Sequence, residues 1–253
     1  MDKNQYLIRS IETCEYKEWF KQKHYAKRIP SVSHCFGLYK NSFLIGVCSY
    51  GRPVAHTLVK FAFKGSYQEI FLELNRLVVD DGLEKNVLSY FVSNTLKLLP
   101  NPSVVVSYAD TSLGHHGYIY QACDFIYTGL SAKRTDYKVK GLEHLHSASL
   151  MDHAGRGLAK GKIHKLREIY GDKLYLADRP RKHRYFYLLG TRKEKHTMRS
   201  KLAYSVLPFP KGNNKRYDSS YKIDKQGILF KYLVLLQNIG LVFRIDIFNV
   251  STK

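Results

Sequence analysis

Along the first half of the chain, short apolar runs alternate with amphipathic stretches. Ile8, Ile11, Tyr16, Trp19 and Phe20 fall at helical spacing and predict a helix from Ile8 to His24, followed by a loop at Pro30. His34–Tyr39 and Phe43–Tyr50 read as strands. The Lys40-Asn41-Ser42 turn between them predicts a β-hairpin, ended by Arg52-Pro53. Glu69–Val79 alternates and then becomes continuously apolar, as a central strand does. After Asp80-Asp81-Gly82, the residues Val87, Leu88, Phe91, Val92, Thr95, Leu96 and Leu99 form the cleanest helical stripe, closed by Pro100 and Pro102. Ser103–Tyr108 predicts a short buried strand and Ala109–His115 a polar loop. His116–Cys123 predicts a short helix and Phe125–Gly129 a further strand.

From Ser131 the pattern turns basic and less apolar. It predicts a helix at Gly161–Tyr170 with Gly171 as its C-cap, and strands near Lys173–Leu176 and at His183–Leu189. Strands alternating with helices imply an α/β sheet with at least one parallel pair. Ser131–Lys182 is expected as an insertion between two neighbouring strands of that sheet, Phe125–Gly129 and His183–Leu189. Ile228–Phe248 is apolar but interrupted by Lys231, Gln237, Asn238, Arg244 and Asp246. That pattern fits a buried hairpin turning near Asn238-Gly240 rather than a membrane span.

Composition adds a partner to this picture. With 44% hydrophobic and 13% aromatic residues, the chain has material for a large core and is not disordered. Its formal net charge is +20, and residues 131–216 hold 22 Lys/Arg against 7 Asp/Glu, a net of +15. A solvated surface normally interleaves the signs, so this segment predicts a polyanionic partner, nucleic acid first and an acidic membrane second. The candidate contacts are Arg156, Lys160, Lys162, Arg179, Arg181, Lys182 and Arg184. Four cysteines without a CxxC pair read as reduced core residues, and the N-terminus lacks the apolar run of a signal peptide. A cytoplasmic protein is expected.

Several residues carry candidate chemistry. Arg76 interrupts an apolar strand and needs an anionic partner, either a ligand or the carboxylate of Glu73 or Asp80. Asp110 follows a buried strand at the edge where open α/β sheets bind ligands. It reads as a ligand-facing proton acceptor, or as a cap for Thr111-Ser112. Ser89 opens a helix off its apolar stripe, where it meets either a ligand or solvent. Tyr25, Tyr50, Tyr108 and Tyr118 lie at expected loop or strand ends and offer aromatic faces to a planar ligand. His24, His34, His115 and His116 show no metal-binding spacing, so no metal is expected, with His24 the one candidate ligand. Phosphate-binding loops, nucleophile elbows and the DPPY-type signature of adenine methylation are missing from the sequence.

The order of elements, with Gly117–Phe125 (GYIYQACDF) leading from a late helix into a strand, resembles the GNAT acyltransferases. Within that superfamily, motifs taken in order resemble the Mom DNA-modification family of Mu-like bacteriophages. They are His24-Tyr25, Gly46–Tyr50 (GVCSY), Glu73–Val78 (ELNRLV), Ser89–Ser93 (SYFVS), Val105–Ser112 (VVSYADTS), Gly117–Gly129, Arg181–Gly190 and Pro208–Tyr217. The resemblance implies an α/β fold, a GNAT-like mixed sheet flanked by helices with a basic insertion between late strands. Residues 1–217 would be the transferase domain, with 131–182 the DNA-contacting insertion inside it, and 218–253 an extension. It implies conversion of adenine to N6-(carbamoylmethyl)adenine in phage DNA inside a bacterial host, as protection against restriction. Tyr25, Arg76, Ser89 and Asp110 match the family's functional positions. Acetyl-CoA or a related acyl donor would lie against Val78, Lys85 and Asn86.

One departure matters. Where GNAT enzymes have a glycine-rich pyrophosphate loop, Asp80–Asn86 has one glycine and three acids. It would repel a pyrophosphate unless Lys85 and the following helix N-terminus compensate. A catalytically silent DNA-binding or anti-restriction protein, or an N-acetyltransferase of another substrate, is therefore the competing expectation.

Overall fold

The computed structural model describes residues 1–24, 27–143, 145 and 147–213; the apolar segment Ile228–Phe248 lies outside them. The chain opens with an edge strand, β1 (Tyr6–Ser10), where a helix was expected from Ile8. Ile8 packs on one face of the sheet and Ile11 on the other, which a strand followed by a turn permits and a continuous helix does not. The helix is confined to α1 (Thr13–Glu18), which runs into a π-helical turn at Trp19–Lys23. β2 (His34–Lys40) and β3 (Phe43–Gly51) form the expected hairpin. Asn41 and Ser42 turn it with φ of 49° and 66°, the left-handed geometry that matches strand twist.

β4 (Phe71–Val79) pairs antiparallel with β3 and parallel with β5 (Ser103–Asp110), and α3 (Val87–Lys97) crosses between them. After α4 (Tyr118–Ala122) come β6 (Ile126–Leu130) and, much later, β9 (Lys182–Leu189). The seven-stranded sheet has the order β1-β2-β3-β4-β5-β9-β6, with β9 antiparallel to both neighbours. The fold is thus the α/β mixed sheet expected of a GNAT-like protein, and the strands flanking the basic segment are neighbours. Between them, β7 (Arg134–Val139) and β8 (Leu174–Arg179) pair as a separate ribbon beside α5 (Ser147–His153) and α6 (Ala159–Tyr170). The strand expected near Lys173 belongs to this ribbon. Gly171 caps α6 at φ 50°, as expected.

α3 and α4 cover one face of the main sheet, where Phe91, Val92 and Leu96 meet Leu74, Val105 and Tyr185. The other face is covered in two parts. α1 and its π turn pack Tyr16 and Phe20 over Val47 and Val78. α2 (His56–Phe61) and α7 (Arg192–Lys201) pack Leu58 and Met198 with Val106, Phe186 and Leu188. Neither α2 nor α7 was legible as a stripe. α7 buries only Met198, and its start is fixed by the Thr191–Glu194 capping box instead.

Candidate active site

β4 and β5 begin as partners and then part. Their parallel pairing covers only Phe71–Glu73 against Val104–Val106, although both strands continue beyond it. β4 stays with β3 as far as Val79, and β5 stays with β9 as far as Asp110. A register shift in the β3–β4 ladder between Ser49 and Tyr50 leaves Asn75 as an extra residue, the kind of bulge that bends a strand and re-aims its side chains. Asn75 is pinned there by the Ser49 hydroxyl (2.7 Å) and by donating to the Ser31 carbonyl (2.8 Å). The fork between the strands holds a cavity of about 590 Å³.

Arg76, Ser89, Asp110, Val78, Lys85, Asn86 and His24 all line this cavity. Tyr25 lies outside the described residues. Of the other tyrosines singled out, Tyr108 and Tyr118 line the cavity, joined by Tyr120. Tyr50 is fully buried and hydrogen-bonded to Thr95 at 2.7 Å, so it belongs to the core and not to a ligand site.

The wall on the α1 side is cationic. The Arg76 guanidinium donates to the carbonyls of Arg28 (3.3 and 3.2 Å) and Asn75 (2.6 Å). Arg28 reaches on to Ser149 (3.1 Å) and Asp152 (3.2 Å) of α5, tying the insertion to the fork. Burial, together with the charges of Arg76 and Lys182, pushes the His24 imidazole down to about 3, so it is neutral near pH 7. Glu73 sits at the crotch of the fork, the last β4 residue paired with β5. Burial raises its carboxyl, while the Val54 N–H, Lys182 and Arg76 pull the other way.

Across the fork, Asp110 accepts from the Ser112 N–H (3.0 Å) and hydroxyl (2.6 Å) and pairs with Lys182 at 3.1 Å. Burial alone would raise its pKa. The Ser112 and Lys182 interactions more than offset this and hold the carboxyl below its ordinary range. Asp110 therefore caps Thr111-Ser112, the second of its two expected readings, and also lines the cavity with its carboxyl held below the ordinary range. It ends a strand instead of lying in a loop, because β9 pairs with β5 as far as Lys182. Lys182, expected on the nucleic-acid surface, instead helps build this wall. Period-two alternation would set Glu73 and Arg76, three residues apart, on opposite faces of β4, and nothing in the sequence joins Lys182 to Asp110.

The α3 end of the cavity explains the acidic turn. Asp80 is held by Lys23 at 2.5 Å. Glu84 pairs with Lys40 (2.8 Å) and the N-terminal ammonium (3.5 Å), and the hydrogen bonds from Lys40 and Tyr6 bring it down to about 2. Asn86 takes left-handed backbone at φ 72° and makes no side-chain cap to α3, while the Ser89 hydroxyl donates to the Asn86 carbonyl (3.0 Å). Paired in this way, two of the three acids lose most of their repulsion toward an anion at this helix N-terminus. The residues present thus fit a phosphate-bearing donor better than the bare sequence implied.

The remaining basic candidates divide. Arg156 and Lys160 are exposed and Lys162 partly so. Arg179 is held by Asp136 through two hydrogen bonds (2.7 and 2.5 Å), and Arg181 donates to the Ser131 carbonyl at 2.6 Å. Arg184 is buried, donates to the Thr128 hydroxyl (2.8 Å) and carbonyl (2.9 Å), and lies 3.5 Å from the centre of the Tyr204 ring. Its expected role as a surface contact is corrected to a structural one. Among the described residues no group of three or more His, Cys, Asp or Glu could hold a metal, and no helix is long and apolar enough to cross a membrane.

The chain matches the model of the Mom protein family over residues 5–211. It belongs to the Mom family. The methylcarbamoylase Mom of Escherichia phage Mu is 28% identical over 197 residues, which are 75% of this chain and 77% of that relative. Among solved structures, an N-acetyltransferase from Staphylococcus aureus Mu50 shares 11% identity at a TM-score of 0.38, covering 72% of this chain and 98% of its own. The ribosomal-protein-S18-alanine N-acetyltransferase of Escherichia coli shares 9% at 0.39, covering 74% and 95%. A Bacillus subtilis acetyltransferase in complex with CoA shares 13% at 0.35, covering 73% and 99%. Superpositions this loose leave the Mom-family fold to rest on the strand order described above.

Proposed function

We propose that this Mom-family protein modifies the exocyclic N6 amine of adenine in double-stranded phage DNA, producing N6-(carbamoylmethyl)adenine and so protecting the DNA from restriction. The observation that carries this reading is the fork cavity. One end lies at the N-terminus of α3 and the other is walled by Arg76, His24 and Asp110, beside the attachment of a strongly basic insertion. About 590 Å³ is in the range of small-molecule sites.

The chemistry asks for three things. The N6 lone pair is conjugated with the purine ring, so N6 is a weak nucleophile, and in a duplex it is occupied by pairing. The base must leave the stack, be held on aromatic faces, and lose a proton to a positioned group. Tyr108, Tyr118 and Tyr120 offer faces, with Tyr25 a further candidate. Asp110 stays ionised throughout the neutral range and is the proposed acceptor or director of the N6 proton. Arg76 and Lys182 stand where negative charge on a donor or reacting oxygen would be stabilised. A donor such as acetyl-CoA or a related acyl carrier would be held by Val78, Lys85, Asn86 and the first turn of α3, with Ser89 beside it. When bound, such a donor would account for the two carbons of the added group only; the amide nitrogen, and the two-electron oxidation of the methyl carbon that bonds to N6, require a nitrogen donor and an oxidant besides.

The exposed cations Arg156, Lys160 and Lys162 are proposed to contact phosphates, while Arg179 and Arg181 shape the root of the insertion. Nucleoside mass spectrometry of DNA from cells expressing the protein tests the reading directly. Carbamoylmethyl-deoxyadenosine is expected in the wild type and not in Asp110→Asn. Unmodified DNA with retained binding would instead favour a silent anti-restriction protein.

A further inference from the structure

We infer that the loop Arg52–Ala55 is a wedge that opens the duplex, with Val54 filling the gap left in the stack by the extruded adenine. The inference rests on the DNA-adenine reading above and adds a residue to it. Val54 is 86% exposed, matched only by Leu158 among the large apolar side chains described. A single exposed apolar residue is ordinary on a protein surface. Val54 differs in how it is held and where it stands.

Its backbone is held at several points. Gly51 approaches the Ser31 carbonyl so closely that an added Cβ would lie 1.9 Å from that oxygen. Pro53 is buried, the Val54 carbonyl accepts from the His56 N–H at 3.1 Å, and the Val54 N–H is bonded to the Glu73 carboxylate. The loop therefore presents a solvent-facing side chain from a tethered base, three residues beyond Gly51, which pairs with Glu73 in the β3–β4 ladder. Glu73 marks the crotch of the fork, feels the charges of Lys182 and Arg76, and acts in turn on Tyr108 of the cavity wall. Val54 is one hydrogen bond from that crotch. Leu158, equally exposed, sits on the insertion at the start of α6.

Extruding a purine leaves an apolar gap between neighbouring base pairs, and the unstacked state is costly until something fills it. Small apolar side chains inserted between base steps do this in proteins that kink or open DNA. A valine suits the task because branching at Cβ leaves little rotamer freedom to lose on insertion. Arg52, exposed two residues earlier, supplies a cation for the adjacent phosphate.

The test uses one target adenine presented in a paired duplex, opposite an abasic site, and in a single strand. Val54→Ser is expected to slow modification of the paired duplex about tenfold or more, and to leave the two unpaired forms within about twofold. Val54→Leu is expected to restore the duplex rate. 2-Aminopurine at the target position should brighten with wild type and not with Val54→Ser, at an unchanged melting temperature. Equal losses on paired and unpaired substrates, or no loss on the duplex, overturn the wedge and leave the proposed function standing. A wild-type protein that modifies none of the three overturns the proposed function, and the wedge with it.

Discussion

The fork and the insertion hold their positive charge in different ways. At the fork and along β9, Arg76 and Arg184 donate to backbone oxygens, and Lys182 is paired with Asp110. Those at the fork act by position: Arg76 and Lys182 add to burial in depressing His24, and Lys182 helps hold the Asp110 carboxyl below its ordinary range. In the insertion, Arg156 and Lys160 stand in solvent over a small core of Val139, Leu150, Ala154 and Leu166. Their influence is collective, reaching about 8 Å at physiological salt and falling as salt rises. Arg179 shows the intermediate case, with its charge matched by Asp136 inside the ribbon. Charge density along a sequence therefore locates a basic region but does not say which cations are free to meet a partner.

The largest test of this contrast is at the fork. Asp110→Asn is expected to lower modification by about 10²–10⁴-fold, the worth of a positioned proton acceptor, while DNA binding persists. Because the Asp110 carboxyl is held below its ordinary range, wild-type activity should show no inflection from this group between pH 5 and 8, a window set by about the ordinary carboxylate and neutral values. Full activity in Asp110→Asn, measured by nucleoside mass spectrometry, removes the assignment.

Next in size is stability. Arg184→Ala leaves the Thr128 carbonyl and the Tyr204 ring without their buried partner and should cost about 2–3 kcal/mol, read as a lower melting temperature. The salt dependence of DNA binding should not change. The converse is expected in the insertion. Replacing Arg156, Lys160 and Lys162 with Gln should reduce the slope of log K against log[salt] by about 2–3, with stability within about 0.5 kcal/mol of wild type. If Arg184→Ala flattens the slope, or the triple variant does not, the contrast between the two regions is wrong.

Two smaller effects sharpen it. His24 has a folded pKa of about 3, below its ordinary value, so the unfolded chain binds the extra proton first. Stability should be unaffected by His24 above about pH 6.5 and fall progressively as pH drops from there toward 3. His24→Gln should shallow that decline in acid melting curves. Lys40→Ala releases Glu84 from its ion pair beside the α3 N-terminus. It should raise the KM for an anionic donor by about two- to three-fold without changing kcat, a small effect because the pair is exposed and screened by solvent.

Local pattern alone determined much of this protein. The β2–β3 hairpin, the stripe of α3, the buried run of β5 and the Gly171 cap of α6 each depend on contacts within a few residues. Turn chemistry and periodicity report those directly. Arg76, Ser89 and Asp110 were visible because each breaks an apolar pattern or stands at the end of one. Tertiary structure alone decided the rest. Ile8 and Ile11, three apart, fit a helix as well as a strand and a turn, and only the two faces of the finished sheet distinguish them. α7 has one apolar anchor, so its place depends on the groove that Met198 fills. The fork exists because β4 stays with β3 and β5 with β9 once their own pairing ends at Glu73, a competition among strands far apart in sequence. The same closure brings Lys182 to Asp110 across 72 positions of chain and buries Arg184 two residues further on. Burial and partner, not residue type, decide what a charge does, and both are properties of the folded chain.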